Sequence, residues 1–215
     1  MTEEEWLPAA DPTPMLEFLK TSNRKLMLFS THCCRRIWPL ILEPASRMAV
    51  EMIERHIEQP VDEKEYYDVF RAAREAAGDP DQFYVGDIDH HPGMAAYRIL
   101  TLTPKSSFVI NAVAVASHAA RASDTKVEEK AQINLIRDIF GNPFRPVIFD
   151  PTWLTSTAIA LATQMYESQD FSLMPILADA LQDANCCDDQ VLGHCREPGF
   201  HVRGCWVIDL LTGRS

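Results

Sequence analysis

Glycine is scarce in this chain, and the glycine motifs that cradle phosphates or present a nucleophile are missing. There are 8 Gly against 14 Pro in 215 residues. No G-x-G-x-x-G, G-x4-G-K-[ST] or G-x-S-x-G occurs, so nucleotide folds and hydrolase elbows lack support. No C-x2-C pair occurs either, although zinc modules usually bring their ligands in that form. No apolar run reaches the roughly 20 residues of a membrane-spanning helix. The opening Met1-Thr2-Glu3-Glu4-Glu5-Trp6 is acidic where a signal peptide is basic. Basic residues are also in deficit: 20 Lys and Arg against 31 Asp and Glu, a formal charge of −11. An acidic surface repels phosphate backbones and anionic lipid, so neither nucleic acid nor a membrane is expected as a partner. The expected compartment is cytoplasmic. Its six Cys are then thiols or metal ligands, not structural disulfides.

Apolar residues make up 47% of the chain, enough for a sizeable core. Their spacing is helical almost throughout. Pro14 opens a short helix through Leu19. Leu26, Phe29, Cys33 and Ile37 stripe a second from Asn23, which Pro39 ends. Pro44 opens a third that Pro60 stops, and Asp62 caps a fourth that ends at Gly78. Phe108 to Ala122 is apolar and long enough for a buried helix. Thr125 to Glu128 resembles a capping box, with Val127, Ala131, Leu135 and Ile139 following at four-residue intervals. Further helices are expected after Asp150-Pro151, after Asp170, after Asp188 or Asp189, and from Val202 to Leu211 before Gly213. Residues 79–107 are the least regular, and residues 141–150 read as an extended connector. The expected fold is all-α: a single helical domain over residues 1–215, built as an irregular multi-helix bundle or a short helical array.

Three blocks carry a resemblance. Trp6-Leu7 with Pro14-Met15-Leu16-Glu17-Phe18-Leu19 and Cys33-Cys34-Arg35-Arg36 form the first. Arg137-Asp138-Ile139-Phe140-Gly141-Asn142-Pro143-Phe144-Arg145-Pro146 form the second. His194-Cys195-Arg196 through His201-Val202-Arg203-Gly204-Cys205-Trp206 form the third. Together they resemble an uncharacterised bacterial family that is numerous in planctomycetes. The resemblance implies an all-helical cytoplasmic protein and no activity. Residues 79–107 differ from that family's Ala-rich insert and are treated as a variable segment.

The densest chemistry lies near the C-terminus. Cys186, Cys187, His194, Cys195, His201 and Cys205 supply thiols and imidazoles of the kind that hold a structural zinc ion. His194 and Cys195 are adjacent, so on a helix they point about 100° apart, although both stay in the candidate set with Cys33, Cys34, His201 and Cys205. On spacing alone, most of these positions read as helix-packing residues. The metal-site reading is expected to hold only if Cys33 or Cys34 lies within ligand distance of His194, His201 or Cys205. A catalytic thiol needs a base and a lowered pKa. Cys34 has only Arg35, Arg36 and His32 near it in sequence, so no catalytic residue is assigned. Asp87, Asp89, His90 and His91 resemble the D-H-H motif of metal-dependent phosphoesterases. That chemistry also needs earlier strand-borne Asp residues, which the amphipathic helices upstream do not offer. Trp206 and Arg203 on the last helix form a docking face, with Arg203 expected to pair with Asp179 or Asp183 and a protein partner as the alternative use. The favoured reading is a non-enzymatic interaction or adaptor protein. The alternatives are a hydrolase on Asp87, Asp89, His90 and His91, and a zinc-binding structural protein using the C-terminal Cys and His. No cofactor other than such a zinc ion is expected.

Overall fold

The computed structural model describes residues 1–78, 91–101 and 108–214, which hold twelve α-helices and no strand. The packing divides into two compact units, Met1–Ile136 and Arg137–Ser215. The division falls inside a helix, not at the Pro- and Gly-marked connections.

The first unit contains α1 (Glu3–Trp6), α2 (Pro12–Phe18), α3 (Asn23–Arg36), α4 (Pro44–Glu58), α5 (Glu63–Ala77), α6 (His91–Ile99), α7 (Phe108–Arg121) and most of α8 (Thr125–Phe140). Capping side chains mark the starts of α1, α2, α5 and α8. Thr2 and Glu5 form a reciprocal capping box on α1, which satisfies two otherwise orphaned amides. The second helix starts two residues earlier than its sequence suggests. The Asp11 carboxylate caps it and Pro12 takes the first helical position, the place where a missing N–H costs nothing. Asp62 caps α5 through the amides of Lys64 and Glu65. Ile99, Leu100 and Thr101 close α6 as a helix end, with the Tyr66 hydroxyl donating to the Leu100 carbonyl.

Within this unit α3 packs against α4, α6 and α7, and α5 joins α4 and α6. Leu26, Phe29, Cys33, Met52 and Ile53 are fully enclosed. The Ala-rich α7 turns Ala112, Ala116, Ala119 and Ala120 inward. Small side chains there let neighbouring backbones approach closely.

Helix α8 departs from its expected pattern. Asp124, not Thr125, caps it by accepting from the Val127 amide. Val127 is exposed, and the buried face carries Glu128, Gln132, Leu135, Ile136, Asp138 and Ile139. Three polar side chains therefore lie on an inward stripe and must be answered there. Glu128 accepts from Arg36 Nε at 3.0 and 2.9 Å and sits in the helix's first turn, where the dipole favours a negative charge. Gln132 donates to the Ala116 carbonyl at 3.0 Å.

The second unit contains the end of α8, a non-helical connector, a 3-10 turn (Pro151–Trp153), α9 (Ser156–Ser168), α10 (Met174–Asp183), α11 (Asp189–Arg196) and α12 (Trp206–Thr212). The single helix expected after Asp150 is two elements. Asp150 caps the 3-10 turn, and Thr155 recaps the chain through the Ala158 amide. α9 and α11 each pack against α10 and α12. Met165, Tyr166, Leu177, Leu181, Val191, Val207 and Ile208 fill the core. No helix among the described residues is long and apolar enough to cross a membrane.

His118 on α7 gives the first unit a pH dependence. Its Nδ1 lies 3.1 Å from His91 Nδ1. Burial first, then the charges of His91, Arg98 and Arg121, push it down to about 4. An unfolded histidine takes its proton near pH 6.5. Between that pH and 4 the unfolded chain therefore binds more protons, and stability is lost as pH falls through the window. The ring is partly exposed, so solvent screening reduces the effect to about 1–2 kcal/mol. Urea denaturation at pH 7 and pH 4.5 should show wild type losing that much more stability than His118→Asn. Equal pH slopes in the two proteins would contradict the assignment.

Candidate metal centre

The second unit ends with a turn that the apolar spacing does not foresee. The last helix begins at Trp206, not at Val202. Val202 stays outside it, and its N–H donates to Asp138 Oδ2 at 2.9 Å. Gly204 then takes φ +96°, a left-handed conformation suited to glycine. Cys205 becomes the N-cap residue of α12. Three segments converge as a result: the last turn of α8 brings Asp138, α11 brings His194, and the turn before α12 brings His201 and Cys205.

Their ligand atoms lie within 4.8 Å of one another. His194 Nε2 is 3.1 Å from Cys205 Sγ and 3.3 Å from Asp138 Oδ1. His201 Nδ1 is 2.7 Å from the same Oδ1. The geometry is convergent, not a relay. A nucleophile–base–orienter triad uses the two different nitrogens of its imidazole, one toward the nucleophile and one toward the carboxylate. Here Cys205 and Asp138 approach the same nitrogen of His194. A tetrahedral zinc ion with bonds of 2.0–2.3 Å sets its ligand atoms about 3.3–3.7 Å apart. The short edges, 2.7 to 3.3 Å, fall below that by up to about 0.6 Å, while the whole set spreads to within 4.8 Å, so enclosing an ion requires the ligands to even out by about half an ångström.

The electrostatics favour a cation at the centre. Burial alone would raise the Asp138 carboxyl, but hydrogen bonds and charge from His194 and His201 outweigh it and hold the group below the usual carboxylate range. Burial raises the Cys205 thiol well above its usual value, and Asp138 raises it further, while the amides of Ile208 and Val207 pull the other way. A thiol in that state is no nucleophile, but a bound metal ion removes its proton outright. His201 Nε2 is buried with no hydrogen-bond partner.

Of the residues expected as ligands, His194, His201 and Cys205 come together, and the fourth donor is Asp138, which sequence reasoning placed in a packing helix. Its signal was available: a carboxylate one position before Ile139, on the buried side of an apolar stripe. Cys195 is buried in the same core, outside the group, and burial pushes its thiol up to about 12. Cys33 and Cys34 are buried on α3 in the first unit. Burial raises both thiols well above their usual value, and neither belongs to the group. Asp87, Asp89 and His90 lie outside the described residues. His91 begins α6 and faces His118. Arg196, and not Arg203, holds Asp179 at 3.1 Å. Arg203 lies over the Tyr166 ring and donates to its carbonyl. Trp206 is half-buried, packed against the second core and against His194.

Comparisons with family models, with curated proteins and with solved structures return no match. The site is therefore read from its own geometry.

Asp138 serves two imidazoles and one amide in the metal-free protein. Asp138→Asn keeps the shape but removes the charge and leaves buried donors underserved. The expected loss is about 2–4 kcal/mol, read by urea denaturation in the presence of a chelator. Unchanged stability would show that the carboxylate does not hold this corner together.

Proposed function

We propose that the protein is a non-enzymatic zinc protein whose C-terminal unit carries one structural ion on Asp138, His194, His201 and Cys205. The observation that carries the reading is the approach of Cys205 Sγ and Asp138 Oδ1 to one nitrogen, Nε2 of His194. Two imidazoles, one thiolate and one carboxylate form a donor set of intermediate softness that suits zinc. Four protein ligands close a tetrahedral shell, which is the pattern of structural sites; catalytic sites keep a position open for water or substrate. Asp138 is not poised to leave that shell, since its second oxygen is already engaged by Val202.

Such an ion would hold a helical surface in shape, in keeping with an interaction or adaptor role. The hydrolase reading gains no such support: of its four residues only His91 is described, and its ring faces another histidine.

Elemental analysis tests the proposal. Protein purified without added metal and dialysed extensively should carry one zinc per chain. Cobalt(II) in its place should give the intense visible bands of a tetrahedral site and a thiolate charge-transfer band. Cys205→Ser should lose the charge-transfer band, and His194→Ala should lose stoichiometric binding. A wild-type chain with no zinc, whose melting responds neither to added zinc nor to chelator, would overturn the reading.

A further inference from the structure

A ligating histidine normally donates its second ring nitrogen to a carboxylate, a carbonyl or water, and that bond fixes the plane of the ring. His194 turns Nε2 into the site, and its Nδ1 meets no acceptor among the described residues, on a side chain that is 17% exposed. Packing against two rings adds a constraint on its plane. The Trp206 indole lies 5.3 Å from the His194 ring, centroid to centroid, at a tilt of 49°. The His201 ring also meets His194, edge-on at 4.8 Å and 77°.

The indole is itself held against the backbone. A Cβ built on Gly141 would lie 3.3 Å from Trp206 Cγ, 3.4 Å from Cδ2 and 3.5 Å from Cδ1. Three near-equal distances mean that the indole rests on the bare glycine. Gly141 has φ +68° and donates to the Arg137 carbonyl at 3.0 Å, so it terminates the same helix that carries Asp138. The stack Gly141–Trp206–His194 therefore sets one imidazole relative to the helix end that bears the carboxylate, and Trp206 directly follows the thiol ligand Cys205 in the chain.

We infer that Trp206 and Gly141 are positioning residues of the metal centre: the indole, seated on Gly141, aims His194 Nε2 at the ion. The inference rests on the zinc reading above. It gives Trp206, which the sequence offers as a partner-docking residue, an inward task. It also gives Gly141 a requirement beyond ending a helix, since any side chain there both strains the backbone and displaces the indole.

The test measures zinc affinity by chelator competition and the cobalt(II) spectrum, with the melting of the metal-free protein as the control for folding. Trp206→Ala should bind zinc about 10–100-fold more weakly, the range expected when a group that orients a metal ligand is lost. Its cobalt bands should shift or weaken, while the metal-free protein melts as wild type does. Trp206→Phe should restore most of the affinity, and Gly141→Ala should weaken binding in the same direction as Trp206→Ala. If Trp206→Ala does not fold, Trp206→Leu, which keeps apolar bulk without a ring, carries the comparison. Wild-type affinity and spectrum in a folded Trp206→Ala or Trp206→Leu would overturn the inference. So would an affinity loss that only tracks loss of the metal-free fold in both variants. Absence of zinc from the wild type would instead overturn the reading beneath it.

Discussion

Burying the carboxylate of Asp138 costs free energy that the second unit recovers only by bringing donors to it, and the path of the chain from residue 194 onward follows from that demand. His201 turns Nδ1 toward it, and Val202, in the turn before the last helix, donates its amide. Gly204 makes the turn that this detour requires. Cys205 then stands at the start of α12 with its sulfur facing His194. An apolar residue at position 138 would leave His201 and Val202 facing a surface that accepts nothing.

The first unit solves a related problem differently. Glu128 is as deeply enclosed as Asp138, but it meets a permanently charged guanidinium, and Gln132 completes the exchange. That arrangement is an ion pair, and among the described residues it forms no group of three or more metal-ligating side chains. Asp138 meets two imidazoles and, through one of them, a thiol. The two carboxylates lie on the buried face of one helix and differ in what they can hold: Arg36 cannot lose its proton to make room for a cation, while His and Cys can.

Much of the fold was legible because α-helices announce themselves by period and punctuation. The starts at Asn23, Pro44, Glu63 and Phe108 follow from Pro, capping side chains and apolar stripes. Errors arose where a side chain served a tertiary purpose. Val127 and Ala131 have the right spacing for a core face, yet α8 turns Glu128, Gln132 and Asp138 inward, and hydropathy alone does not select a polar face. Val202 has helical spacing with Trp206, but Gly204 between them takes φ +96° and breaks the run. The candidate site was three-quarters visible as His194, His201 and Cys205. The missing member was a carboxylate, a residue type common enough on helices to be read as solvated. Cys33 and Cys34 drew attention for the opposite reason: thiols are rare, but these two serve as small apolar side chains in α3.

The spacing of the four residues has a further consequence. Three of them, His194, His201 and Cys205, lie close together in the chain, while Asp138 is far upstream. A short stretch of unfolded polypeptide therefore already contains most of a chelating set. Anything that binds the unfolded chain subtracts from the stabilisation gained by binding the native one. A tightly held ion would then raise the melting temperature by less than its affinity implies. The difference between native and unfolded affinity would rest largely on the distant carboxylate, so Asp138 would govern how much of the binding is converted into fold.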